Sequence, residues 1–252
     1  MADLVLIGTA KARPFRNVWM LEELQVPYTL RPEIPRSPEV LAMNRSGKVP
    51  ILKTSASHCL KHPETMLPES TAALQHGNFI MTESAAINTY LADAFRGHVP
   101  ELVPPAGSQL RGRYEELVSC IITELDAQGL WIHRKHEAMK QFFGHIPEDG
   151  ERPGDSRVVD ALDAAVQHAQ QHFCNTVNIL LAQLREVGDY LLGNFSAADI
   201  LLVHCLDWAG VIKWLPSTSI ESELQPVLEQ YLERCHKRDA YQRAVAQRKA
   251  KL

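Results

Sequence analysis

The chain has 252 residues, of which 45% are hydrophobic, and a formal net charge of −4. This length allows one or two domains with a full core, and the acidic balance argues against a general nucleic-acid binder. No segment approaches the roughly 18 apolar residues that a membrane span needs, and no basic region precedes the first apolar run, so we expect neither a membrane partner nor a signal peptide. The five cysteines are odd in number and form no Cys-x-x-Cys, which favours free thiols in a reducing cytoplasm.

The first part of the chain alternates short apolar strands with helices. Leu4 to Ile7 predicts a strand that ends at Gly8, and a helix is predicted from about Pro14, because proline suits the first helical position. Apolar and polar residues of this helix fall on separate faces. Tyr28 to Arg31 predicts a second strand, and Ser37 followed by proline predicts the N-cap of a short helix.

The next stretch, Asn44 to Leu52, predicts a helix end at Gly47 and a strand that opens at Pro50. Proline is tolerated at the first residue of a strand because it need not donate to the ladder. The Val49–Pro50 bond is a candidate cis peptide, which would turn the Val49 backbone N–H and C=O outward. A peptide ligand could pair with these groups as an added strand. The alternative is an ordinary helix-to-strand loop.

Between this strand and the next, Thr54 to Gly77 form a polar stretch of about two dozen residues, where a hairpin needs only a few. We interpret it as a surface insertion. His58, Cys59 and His62 suggest a metal, but no fourth ligand follows at zinc-like spacing. A solvated loop is therefore favoured, and we predict no metal site.

The stretch Asn78 to Asp93 predicts a strand at Phe79 to Met81, a sharp turn and a helix. A helix N-terminus has free backbone N–H groups and a partial positive charge, so it attracts anions. The Ser84 hydroxyl could bind a carboxylate and Glu83 an ammonium, which together would hold both termini of a small zwitterionic peptide. The alternative is that Thr82 caps the helix and Glu83 complements its dipole.

The rest of the chain predicts helices. Arg96 to Gly107 contain three prolines and two glycines and read as a linker. Long helices are predicted at Ser108 to Phe143 and at Ser156 to Val187. Ser196 and Asp199 form a capping box with a structural role, and the apolar helix that follows, which ends at Val211, is expected at the centre of a helical domain.

Four motifs in this order resemble the cytosolic glutathione transferases: Trp19 to Leu24, Gly47-Lys48-Val49-Pro50, Glu83-Ser84 and Asn194 to Ile200. The resemblance implies an α/β thioredoxin-like N-terminal domain at 1–95, with the insertion at about 54–77, a linker at 96–107 and an all-α domain at 108–252. It also implies a cytoplasmic homodimer with a role in detoxification. Glutathione would be the co-substrate, with no metal. The residues expected to bind it are Lys48, Val49, Pro50, Glu83 and Ser84.

The family activates the glutathione thiol with a donor in the loop after the first strand, so that the thiolate attacks an electrophile. The bacterial-type sequences that this chain looks like read Gly-Thr-x-x-Ser-Arg-x-x-Arg there, and the run from Gly8 to Arg16 has Ala12 at the serine position. Three hypotheses stay open. Thr9 could substitute; Arg13 and the N–H groups at the helix start could stabilise the thiolate; or the protein could be a non-catalytic binding module.

The implied reaction is conjugation of glutathione to a hydrophobic electrophile, with weak peroxidase activity as an additional expectation. A thiol-disulfide oxidoreductase is disfavoured, because residues 9–13 contain no cysteine. The electrophile is expected between this loop and the first long helix, where Trp131 and Arg134 share a face. An aromatic wall with a cation suits a planar or anionic substrate. The alternative places Trp131 in the core and the charged run in solvent.

Overall fold

The structure is a computed structural model, and it describes residues 4–54, 79–97, 101–143, 156–216 and 218–248. The chain forms two compact units: Met1–Pro104 together with Cys235–Leu252, and Pro105–Arg234. The sequence-based boundaries, 1–95 and 108–252, stay a prediction, although contacts group the last segment with the first unit. The 54–77 insertion beyond Thr54, with His58, Cys59 and His62, lies outside the described residues.

In the part of the first unit that the structure describes, the strands β1 (Leu4–Ile7), β2 (Thr29–Arg31), β3 (Ile51–Thr54) and β4 (Phe79–Thr82) form a mixed sheet in the order β2-β1-β3-β4. Strand β1 pairs with β2 in parallel, and β3 pairs with β1 and β4 in antiparallel fashion. The alternation of strands and helices along the chain confirms the predicted thioredoxin-like order. The elements are β1 (Leu4–Ile7), α1 (Pro14–Leu24), β2 (Thr29–Arg31), α2 (Pro38–Met43), β3 (Ile51–Thr54), β4 (Phe79–Thr82) and α3 (Ser84–Ala94).

Local signals set the helix starts in this unit. Pro14 occupies the first turn of α1, and the Ser37 hydroxyl accepts a hydrogen bond from the Val40 N–H at 3.3 Å, which caps α2 as predicted. Helix α1 departs from expectation, because nearly all its residues are buried rather than one face alone. Helix α3 and the helix α9 (Asp239–Gln247) both pack against α1 and cover it.

Helix α9 packs against α1 through aromatic rings and ion pairs. The Tyr241 ring makes an edge contact with Trp19, with ring centroids 4.8 Å apart. The four ion-paired residues, which we call the α1–α9 clamp, are Glu22, Glu23, Arg238 and Arg243.

The two pairs of the clamp differ in burial. Glu23 accepts two hydrogen bonds from Arg238, at 2.6 and 2.8 Å, and a third from Trp19 Nε1 at 2.9 Å. Glu22 accepts from Arg243 Nε at 2.7 Å. The Glu23 side chain is 6% exposed, whereas that of Arg243 is 48% exposed. The Glu23 pair is therefore the better shielded of the two.

The second unit is helical. The helix predicted at 108–143 is continuous, but its middle is π-helical, and the Trp131 N–H donates to the Asp126 carbonyl five residues back. No proline marks this change in the sequence. In chain order, the elements that follow α3 are α4 (Gln109–Cys120), a π-helical segment (Ile121–Leu130), α5 (Trp131–Phe143), α6 (Ser156–Val187), α7 (Ala197–Val211), α8 (Gln225–His236) and α9.

Helix α7 is buried along most of its length, as predicted for a central helix. The capping box is present at its start. The carboxylate of Asp199 accepts from the Ser196 N–H and hydroxyl at 2.8 and 2.9 Å, from the Leu191 N–H at 3.1 Å and from the Tyr231 hydroxyl at 2.9 Å. Burial raises the pKa of Asp199, and these hydrogen bonds oppose that rise. Within the described residues, no helix has the length and apolar character to cross a membrane.

Candidate functional site

The register of the sheet brings three chain segments to one edge. Ile51, the first residue of β3, pairs with Ile7 at the end of β1 and with Thr82 at the end of β4. The segments that continue from these paired residues therefore leave the sheet at the same edge. They carry the predicted site residues Thr9 and Arg13, Lys48 to Pro50, and Glu83 and Ser84.

Gly8 packs the first two of these segments together. Its φ is +130°, and a Cβ at this position would lie 2.6 Å from Pro14 Cγ and 3.0 Å from Val49 Cβ. No larger residue fits without movement, because both Pro14, at the start of α1, and Val49 approach the Gly8 backbone closely. The Val49–Pro50 peptide bond is cis, as predicted. Lys48 is exposed.

The loop from Thr9 to Arg13 is closed by its own hydrogen bonds. The Thr9 hydroxyl accepts from the Lys11 N–H at 3.2 Å. The N–H groups of Ala12, Phe15 and Arg16 donate to backbone carbonyls of the same segment at 3.2, 2.9 and 3.1 Å. Three backbone donors next to the start of α1 are thus already engaged within this segment, and the catalytic role of Thr9 and Arg13 stays a prediction.

The turn between β4 and α3 has unusual backbone geometry. Glu83 has φ 72° and ψ 111°, it is exposed, and it occupies the N-cap position of α3 without a capping bond from its side chain. The interpretation of Thr82 as the cap is wrong, because Thr82 is the last residue of β4. Such a conformation costs about 1–3 kcal/mol for a non-glycine residue and is found most often at functional sites.

Two buried side chains of α1 that the sequence analysis did not assign hold the start of α3. Arg16 Nη1 donates to the Ser84 hydroxyl oxygen at 3.2 Å, and Asn17 Nδ2 donates to the Ser84 carbonyl at 2.8 Å. Asn17 also donates to Asn88 Oδ1 at 2.7 Å. One signal was present in the sequence, since Arg16 fills the last position of the Gly-Thr-x-x-Ser-Arg-x-x-Arg pattern.

The predicted electrophile residues belong to the second unit. The Arg134 guanidinium lies 5.5 Å from the centroid of the half-buried Trp131 ring, and the Lys135 ammonium lies at the same distance. Trp131 and Arg134 therefore share a face, as expected, with Lys135 as a second cation. The pocket role of these residues stays a prediction. Nearby, burial lowers the pKa of His133, whose ring contacts Trp214 with centroids 5.3 Å apart.

Part of the sequence and the fold of the chain are similar to known proteins. Residues 14–94 match the family model described as glutathione S-transferase, N-terminal domain. No curated protein sequence matches the chain. The fold is similar to a glutathione transferase from Methylococcus capsulatus strain Bath, with 22% identity and a TM-score of 0.65 over 97% of this chain and 98% of that one.

Two further similar structures were solved with glutathione. A glutathione transferase family member from Pseudomonas fluorescens Pf-5, with two glutathione bound, has 16% identity and a TM-score of 0.67, covering 97% of this chain and 92% of that one. A homologue from Sulfitobacter with bound glutathione has 17% identity and a TM-score of 0.64 over 98% of each chain.

The chain has the glutathione transferase fold, with a thioredoxin-like sheet and a helical second part. The family-model match covers residues 14–94, and the similarity to the solved structures, which extends over nearly the whole chain, supports this fold.

Proposed function

We propose that the protein is a glutathione transferase that binds glutathione at the shared edge of β1, β3 and β4 and conjugates its thiolate to a hydrophobic electrophile. The observation that carries the proposal is the sheet register, which brings the ends of three segments with complementary chemistry to this edge. The strained backbone of Glu83 at the same edge supports it. The glutathione bound in two similar structures supports the choice of ligand.

The binding roles follow from the chemistry of each segment. Ser84 and the N-terminal N–H groups of α3 hold the γ-glutamyl carboxylate, because a helix start favours an anion. Exposed Glu83 pairs with the ammonium group. The backbone of Val49, with Pro50 beside it, pairs with the cysteinyl part of glutathione as an added strand, and Lys48 offers a cation to the remaining carboxylate.

The thiolate is stabilised by Thr9 and Arg13. The Thr9 hydroxyl accepts from the Lys11 N–H, which leaves its own proton to donate toward the sulfur. Arg13 adds a positive charge at the N-cap position of α1, and a nearby cation lowers the pKa of a thiol. Loss of one hydrogen bond to a developing charge typically lowers the rate by about 10²–10³-fold, so a protein with Ala12 at the serine position keeps measurable activity.

The electrophile contacts Trp131 and Arg134, whose ring and guanidinium lie together. This pairing suits a planar or anionic hydrophobic substrate. We place the reaction in the cytoplasm and in a homodimer, and we include weak peroxidase activity among the expected reactions. The bacterial-type, serine-class assignment with Ala12 at the serine position belongs to the same proposal.

A non-catalytic glutathione-binding module is the second candidate. Ala12 favours it, because a methyl group cannot donate a hydrogen bond, and the neighbouring N–H groups of Phe15 and Arg16 are already engaged. This candidate keeps every binding contact proposed above and loses only the activation of the thiol. The two candidates therefore differ in the pKa of bound glutathione.

Calorimetric titration with glutathione tests the binding site. Glu83→Ala and Ser84→Ala should each weaken binding by about 1–3 kcal/mol, as for one lost charge-assisted hydrogen bond. Glu101→Ala is a matched control, because this exposed carboxylate of the same unit pairs with Arg96 instead. Unchanged affinity in both site variants would exclude the proposed site.

Ultraviolet absorbance of the thiolate across pH tests the chemistry. A depressed thiol pKa in the complex with the unaltered protein, raised again in Arg13→Gln, supports the transferase. A thiol pKa equal to that of free glutathione, lowered only in Ala12→Ser, identifies the binding module instead.

A further inference from the structure

The start of α3 rests on a buried cation. Arg16 is 1% exposed and Ser84 5% exposed, and Arg16 Nη1 lies 3.2 Å from the Ser84 hydroxyl oxygen. A guanidinium is rarely buried to this extent without partners. Its neighbour Asn17, which is fully buried, already anchors the backbone of the same residue through the Ser84 carbonyl. Two adjacent side chains of α1 thus contact Ser84 in chemically different ways.

The chemistry of arginine fixes the direction of the hydrogen bond. A guanidinium has five N–H donors and no acceptor, and it stays protonated in proteins. The Ser84 oxygen is therefore the acceptor toward α1, and its proton is directed to a different acceptor. Ser84 is also the first residue of α3, where backbone N–H groups carry partial positive charge. Hydroxyl proton, helix start and buried cation all favour an anion at this point.

We propose that Arg16 is a positioning residue that makes the Ser84 hydroxyl a donor and selects ligands with a carboxylate at this end. This inference rests on the proposed function, in which the γ-glutamyl carboxylate of glutathione binds Ser84. Arg16 acts in two ways. It orients the Ser84 hydroxyl, and its positive charge stabilises the ligand carboxylate bound to that hydroxyl, because charges interact more strongly through the protein interior than through water. Asn17 carries no charge and bonds to the Ser84 carbonyl and to the Asn88 side chain, so it contributes stability without this selectivity.

The experiment compares two ligands by calorimetry: glutathione and γ-aminobutyryl-cysteinylglycine, which lacks the γ-glutamyl carboxylate. The measured quantity, which we call the ratio, is the dissociation constant of the analogue divided by that of glutathione. For Arg16→Gln we expect glutathione binding to weaken by about 10-fold or more, as for a lost charge-assisted interaction, while the analogue changes less than about 2-fold. Arg16→Lys keeps the charge, so its ratio should lie between that of Arg16→Gln and that of the unaltered protein.

Asn17→Ala is the matched control. It removes a buried hydrogen bond to Ser84, as Arg16→Gln does, but from the next residue of α1 and without a change of charge. It should lower the thermal midpoint and weaken both ligands by the same factor, so that the ratio is unchanged. If Arg16→Gln does not fold, Ser84→Ala carries the test. This variant removes the Ser84 hydroxyl but keeps the Arg16 cation. The ratio should therefore fall several-fold, because the hydroxyl is lost, but stay above one, because the cation remains. An unchanged ratio would overturn the inference.

The outcomes separate this inference from the proposed function. If the unaltered protein binds glutathione but does not prefer it over the analogue, or if Arg16→Gln weakens both ligands equally, the selectivity role of Arg16 is wrong and glutathione binding stands. If the unaltered protein binds neither ligand, the proposed function fails and the inference fails with it.

Discussion

Replacing Glu23 with alanine removes the most buried carboxylate of the α1–α9 clamp. The side chain accepts both hydrogen bonds of the Arg238 fork and one from Trp19 Nε1. Removing one partner of a fully buried ion pair typically costs about 3–5 kcal/mol. Because Arg238 is 25% exposed, water partly solvates its charge, and we expect a loss of about 2–3 kcal/mol in the docking of α9.

A double-mutant cycle isolates the pair. Glu23→Ala, Arg238→Ala and the double variant give a coupling free energy that we expect to reach about 2 kcal/mol. The Glu22–Arg243 pair joins the same two helices but is more exposed. It therefore serves as the matched control, with an expected coupling below about 1 kcal/mol.

Hydrogen exchange of the α9 amides, followed by mass spectrometry, reports the docking directly. Each 1.4 kcal/mol corresponds to a tenfold change in an equilibrium, so Glu23→Ala should accelerate exchange in α9 by roughly 30- to 150-fold when opening is local. Peptides from α7 in the other unit should exchange at unchanged rates. Equal couplings for the two pairs would refute the reasoning, because burial would then not control the strength of the clamp.

Two further predictions concern the second unit. Asp199→Asn should destabilise it by about 2–4 kcal/mol in urea unfolding, because an amide has one acceptor oxygen and leaves some of the four buried donors facing its NH₂ group. His133 has a pKa lowered by burial, so the folded state binds its proton less tightly than the unfolded state. Stability should therefore fall as pH drops from about 7 toward 5, and this fall should be smaller in His133→Gln.

Each of these predictions has a control. Tyr231→Phe removes only one of the donors to Asp199 and should cost about 1 kcal/mol; a loss as large as that of Asp199→Asn would contradict the acceptor count. For His133, the nearby charges of Glu137 and Lys140 act in opposite directions on its pKa. A stability profile that is identical in the unaltered protein and in His133→Gln would show that its burial has no consequence for folding.

The sequence predicted the features that depend on neighbouring residues. Pro14, the Ser37 cap and the Ser196–Asp199 box each act within one helical turn, so their residue types reveal the element that they start. The convergence of Thr9, Val49 and Ser84 could be expected only through the resemblance to a known family, because register between strands depends on the whole sheet.

The features that the sequence missed join distant positions. Arg16 and Ser84 are 68 positions apart, and Arg238 and Glu23 are 215 positions apart. Periodicity places Glu23 on a helix but does not reveal its partner. Two other predictions are wrong for the same reason. The sequence predicts a polar face on α1 and an ordinary α-helix before Trp131, whereas α1 is buried on nearly all sides and the segment before Trp131 is π-helical. Neither feature depends on local residue types alone.

The order of synthesis gives the docking of α9 a further consequence. When Pro104 leaves the ribosome, the surface of α1 that packs against Tyr241 lacks its cover, because α9 follows only after about 130 more residues. At about 5–20 residues per second, this delay lasts roughly 7–26 s. During that time the nascent chain presents Trp19 and Glu23 without α9, a surface of the kind that chaperones bind. The first unit to begin folding is thus the last to be completed.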